Sequence, residues 1–162
     1  MTAATLRGDM LRAGLIYGGG DSLAALLTGQ FAWPRAIAIT LLGALLYAPE
    51  IRVWFAWIAR RIPEAGAPRA QLQRTLLALA WFNPLWIARH ALFIRLADGR
   101  WQQIDAGLLT LGLATFLYNL PVALLANWLI QNRVPLRWRL TASALFSAAM
   151  AVWYALAETW LG

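Results

Sequence analysis

Polar side chains stand in the middle of stretches that are otherwise apolar: Asp21, Pro49-Glu50-Ile51-Arg52, Asn83-Pro84 with Arg89-His90, Asn119-Leu120-Pro121, and Asn127. Carboxylates, guanidinium groups and carboxamides at such positions can hold and pass a polar solute. Hydrocarbon tolerates them only where they face a bundle interior or a water-filled cavity. The parts of a catalytic centre are harder to find. Ser22, Ser143 and Ser147 have no histidine at a spacing that makes a nucleophile and base pair, and His90 is the sole histidine. With no cysteine and one histidine, thiolate and histidine-rich metal sites lose their ligands within one chain. No enzyme activity, metal or cofactor is therefore expected.

The elements that must position these residues are membrane spans. Of 162 residues, 61% are hydrophobic and 13% charged, against about a quarter charged in an ordinary soluble domain. Five apolar segments reach the length of roughly 20 residues that a bilayer core requires. They cover about 10–30, 34–58, 74–96, 105–130 and 136–160. Pro34 suits the first turn of the second segment, residues 63–68 form the clearest loop, and Gln131 to Arg133 read as a connector before Pro135. Trp33, Trp57, Trp101, Trp138 and Trp160 fall where spans meet headgroups. The expected fold is an all-α integral membrane protein, a bundle of five proline-kinked transmembrane helices, or four if the first segment lies in the interface. It forms a single domain over residues 1–162.

All fourteen basic residues are arginine. In the five-span arrangement nine lie on one side, three (Arg35, Arg95, Arg100) on the other, and Arg52 and Arg89 within spans. That bias puts the N-terminus in the cytoplasm. The net charge of +7 does not form a basic face, so nucleic acid is not an expected partner. The lack of lysine fits a GC-rich bacterial genome.

Pro49, Pro84 and Pro121 have no amide hydrogen and release the carbonyls of Leu45, Ala80 and Leu117. These kinks serve either packing or the lining and gating of a pore. The charges within spans balance, Asp21 and Glu50 against Arg52 and Arg89. An unpaired charge at the bilayer centre costs about 2.5–3.5 kcal/mol on insertion scales, so pairing across helices or hydration is expected, in one central polar layer. Pairing for structure explains the balance as well as transport does. His90 reads as a hydrogen-bonded core residue. Gly14, Gly18 and Gly19 form a strip that lets another helix approach closely.

Gly43, Pro49, Trp54-Phe55 and Ile62-Pro63, with Gly18 to Asp21 and Gln30 upstream, resemble the Mpv-seventeen and twenty-two-kilodalton peroxisomal membrane protein family. Leu76-Leu77, Phe82, Pro84, Pro121, Asn127-Trp128, Val134-Pro135-Leu136, Arg139 and Trp153-Tyr154 are similar to its later blocks. The family's usual Asp-Gln pair is replaced by Ala78-Leu79. The resemblance implies a multi-pass protein associated with channel-like passage of small solutes. Its membrane would be the bacterial cytoplasmic membrane, or a mitochondrial inner or peroxisomal membrane in a eukaryote. Phe82-Asn83-Pro84 and Trp101-Gln102-Gln103-Ile104 are more weakly similar to the bacterial alanine exporter family.

Together these readings give a channel or transporter for small metabolites, acting as a homo-oligomer in the lipid bilayer. The pore or polar-core candidates are Asp21, Glu50, Arg52, Asn83, Arg89, His90, Asn119 and Asn127. A non-transporting ligand-binding or scaffold protein and a small amino-acid exporter remain as alternatives.

Overall fold

The computed structural model describes residues 3–62 and 66–161, with side-chain surroundings for 6–62 and 66–153. Every regular element in that range is helical: α1 (Ala3–Leu27), α2 (Trp33–Leu42), a π turn (Gly43–Tyr47), α3 (Ala48–Arg61), α4 (Pro68–Trp81), α5 (Pro84–Ala97), a 3-10 turn (Trp101–Gln103), α6 (Gly107–Arg133) and α7 (Leu136–Leu161). The continuous rod Trp33–Arg61, the run Pro68–Ala97 and α6 are each long and apolar enough to cross a bilayer. The chain is an all-α membrane protein.

Local chemistry sets the helix boundaries. α1 and α5 both end on a glycine in the left-handed region, Gly29 at φ +68° and Gly99 at φ +71°. In each case the next amide reaches back five residues, Gln30 to Ala25 at 2.8 Å and Arg100 to Arg95 at 2.8 Å. These bonds satisfy carbonyls that the ending helix leaves open, at a backbone angle that only glycine adopts without strain. Pro34, Pro68 and Pro84 lie in first turns, where a missing amide costs nothing.

Pro49 acts differently. The helix passes through it, but the preceding turn widens so that the Ala48 amide bonds the Gly43 carbonyl, five residues back. A π turn of this kind is a local weak point in a helical ladder.

Several sequence expectations change here. The third segment, expected as one kinked span over about 74–96, is two helices that break at Phe82-Asn83. Pro84 therefore starts a helix and does not kink one. Gln131 to Arg133, expected as connector, belongs to α6. In the expected loop, Pro68 begins α4, and residues 63–65 lie outside the described residues.

The chain divides into two compact units, one of residues 1–52 and 140–162, the other of residues 53–139. In the first, α1 runs antiparallel to α2, the π turn and the first turn of α3. Glycine makes the approach possible. A Cβ at Gly14 would stand 2.9 Å from the Thr40 carbonyl oxygen, one at Gly18 would collide with the Thr40 hydroxyl, and one at Gly43 would lie 2.9 Å from Tyr17 Cβ. A different face of α1 meets α7, where a Cβ at Gly20 would reach within 2.5 Å of Ala148 Cβ. Gly14 and Gly18 thus serve helix packing, whereas Gly19 faces open space. The opposite face of α1, Leu11, Leu15, Leu23 and Leu26, is exposed.

In the second unit α4 and α5 pack on α6. Gly112 of α6 is the contact point with α5, since a Cβ there would run into the Pro84 carbonyl.

Candidate functional site

The charged candidates of the first unit form two separate pairs. Asp21 accepts two hydrogen bonds from Arg35, from Nη2 at 2.7 Å and from Nε at 2.9 Å. Both side chains are nearly enclosed, at 7% and 12% exposure. This is the bidentate fork that a guanidinium offers a carboxylate. Arg52 pairs with Asp9, which also accepts from Arg12. Asp9 and Asp21 are both buried and lie twelve residues apart on α1, about 18 Å at 1.5 Å per residue.

One central polar layer was expected, and these charges instead occupy two levels. Asp21 takes Arg35 in the first turn of α2, a residue read from sequence as a flanking charge. Arg52 takes Asp9, which sequence reasoning left outside the first span. The pairings follow from antiparallel register: Asp9 with Arg52, Gly14 with Ala44, Tyr17 with Gly43, Gly18 with Thr40 and Asp21 with Arg35 step along the two helices in opposite directions. Glu50 is half-buried in the first turn of α3.

Between the two levels sits an aromatic contact. Tyr17 and Tyr47 meet edge to face with ring centroids 5.2 Å apart, and Tyr47 is fully buried. Such a pair contributes about 0.5–1.5 kcal/mol beyond its buried area. It fixes the end of the π turn to α1.

In the second unit the asparagines act on the backbone. Asn83 caps α5, its Oδ1 accepting from the Trp86 amide at 3.0 Å, while its Nδ2 donates to the Ala80 carbonyl at 3.0 Å. That carbonyl is the one left open by Pro84. Asn119 and Asn127 each donate to the carbonyl one turn earlier, Thr115 at 2.7 Å and Ala123 at 2.9 Å. Pro121 lies within α6 without ending it. Arg89 and His90 are half-buried on α5, and His90 stacks on Trp86 at 5.8 Å and 10°. That stack continues an aromatic line through Phe82 and Phe55, beside a second line, Trp57, Trp54 and Trp81.

Of a further polar group in the second unit, only Asn127 was foreseen. Around the last turns of α6, Arg74, Thr75, Asn127, Gln131 and Arg139 are all buried. Arg74 Nε donates to Asn132 Oδ1 at 2.9 Å, Asn132 Nδ2 reaches Thr75 Oγ1 at 3.2 Å, and Arg139 Nε donates to the Val134 carbonyl at 2.9 Å. Two arginines thus converge on the end of α6, where the helix dipole favours positive charge. Gln131 is wholly enclosed, and neither its amide nitrogen nor its amide oxygen has a hydrogen-bond partner in the protein. The available signal was the i, i+4 spacing of Asn127 and Gln131. The adjacent Pro135 made the segment look like a loop.

Among the described residues no group of three or more His, Asp or Glu could hold a metal ion.

Over 93 residues the chain is 28% identical to the mitochondrial inner membrane protein Mpv17 of Caenorhabditis briggsae. The matched stretch is 56% of this chain and 51% of that protein, so the chain spans about half the length of the curated relative it matches. This similarity supports the family resemblance read from the motifs, and with it a place in a membrane. No protein-family model matches the chain, and no solved structure matches it.

Proposed function

We propose that this chain is a small member of the Mpv17 family that passes small polar solutes across its membrane, without a cofactor or a catalytic step. Self-association in the bilayer completes the passage, because two small units offer little interior of their own. The membrane is the bacterial cytoplasmic membrane, or a mitochondrial inner or peroxisomal membrane in a eukaryotic cell.

The observation that carries this reading is Gln131. A buried carboxamide with no partner costs about 1–3 kcal/mol, and a membrane helix could hold leucine there without that cost. Retaining the amide makes sense if water or a solute reaches it when a path opens. Arg74, Thr75, Asn132 and Arg139, gathered on the same turns of α6, supply further polar groups to such a path.

Gln131→Leu tests the reading. Purified in liposomes, the variant should keep its fold and gain thermal stability but lose most solute flux. Unchanged flux would remove the support.

A scaffold role is the second reading. It is favoured by the Asp21–Arg35 pair, whose two hydrogen bonds complete a carboxylate and a guanidinium against each other and account for both without transport.

A further inference from the structure

We infer that the Asp9–Arg52 pair is a latch on a hinge at the π turn, and that Asp21–Arg35 is the fixed anchor of the same helix pair. The inference concerns how a path would open, so its biological meaning rests on the passage reading, while its geometry can be tested alone.

The two ends of the α1 contact are built differently. From Asp21 to Tyr17, α1 is held to α2 by a bidentate ion pair and the glycine contact at Gly18, and to the π turn by the close approach at Gly43 and the Tyr17–Tyr47 rings. Glycine contacts of this kind allow no sliding, because backbone and side chain already touch. Beyond Tyr47 the rod changes character. The Ala48 amide bonds five residues back, and Pro49 contributes no amide at all. Sharp helix bends occur at just such sites, at proline and at π bulges. On the far side of this weak point comes Arg52, bonded to Asp9. The boundary between the two compact units follows at once, between Arg52 and Val53.

An ion pair placed just past a pliable turn, with firm packing just before it, controls whether the first turn of α3, Ala48 to Arg52, stays on α1. Breaking it lets that turn swing about the π turn while α2 stays anchored. Val53 lies six residues beyond Tyr47, roughly 9 Å along the helix, so a bend of about 20° displaces it by about 3 Å.

The chain has no cysteine, so nitroxide labels can be placed singly. Three label pairs sample three levels of the antiparallel helices at exposed positions: Arg7→Cys with Val53→Cys at the latch, Leu15→Cys with Leu45→Cys at the glycine contact, and Leu23→Cys with Ile37→Cys at the anchor. Distances are measured by pulsed electron resonance in liposomes, in the Asp9→Asn background and without it. The expected result is a lengthening of about 3 Å, or a second population, at the latch pair alone, reversed by the charge swap Asp9→Arg with Arg52→Asp. Arg52→Lys, which keeps the charge but replaces the guanidinium with a shorter ammonium side chain, should give a smaller change in the same direction if Asp9→Asn does not fold. No change at any level would overturn the inference. So would equal broadening at all three, which would mean that α1 detaches as a whole. Flux through the same variants separates the two readings: latch movement without any change in flux would leave the hinge standing and count against solute passage.

Discussion

Asp21 and Arg35, fourteen residues apart, face each other across the α1–α2 contact with both carboxylate oxygens engaged by one guanidinium. Removing one partner strands the other in a dry setting. Asp21→Asn should therefore lower stability by about 3–5 kcal/mol, seen as a fall in melting temperature and in monodisperse yield after detergent extraction. The double change Asp21→Asn with Arg35→Gln should recover part of that loss. Equal yields for wild type and Asp21→Asn would show that the pair is solvated and structurally idle.

Gly112 of α6 leaves no room for a methyl group against the Pro84 carbonyl. Backbone cannot move aside as a flexible side chain can. Gly112→Ala should cost about 1–3 kcal/mol in thermal unfolding, whereas Gly19→Ala, with nothing within 4 Å of the added carbon, should be neutral or slightly stabilising. Similar melting points for the two variants would contradict the close approach of α5 and α6.

Asn83 serves two backbone groups at once, the Trp86 amide and the Ala80 carbonyl. Asn83→Ala loses both bonds and should destabilise the protein by about 1–2 kcal/mol. Asn83→Asp, which keeps the cap acceptor but not the donor, should fall between the two. A larger effect on flux than on stability would point instead to a solute contact.

Much of this was readable from residue types. Helix class follows from segment length and hydrophobicity, and the first-turn position of Pro34 and the close contacts of Gly14 and Gly18 follow from local sterics. The partners of the charges were harder to foresee, because a pairing depends on the register between two helices, which sequence does not display. Asp9 lies just before the expected first span of about 10–30, and only the antiparallel register places Arg52 opposite it. Asn83-Pro84 shows a different limit. The same dipeptide can kink a helix or restart one, and only the backbone of Phe82, which leaves the helix at ψ +45°, decides between them. Gln131 was hidden by its neighbours, since Pro135 and Arg133 suggested a loop where α6 in fact continues.

Orientation can be checked independently of any transport assay. The arginine bias predicts a cytoplasmic N-terminus and, with five crossings, Gly162 on the opposite side. A reporter fused after Gly162 should be active outside the cytoplasm and one inserted at Gly66 inside it. Cytoplasmic activity of the first would mean that one of α1 and α7 does not cross.

The central claim, passage of small polar solutes, is tested most directly by release of solutes of graded size from liposomes containing the purified protein. The account predicts release that falls off above a definite solute size and drops several-fold in Gln131→Leu while the variant remains folded. Release no faster than from protein-free liposomes, for every solute and with the wild-type protein folded and inserted, would contradict it and leave the scaffold reading.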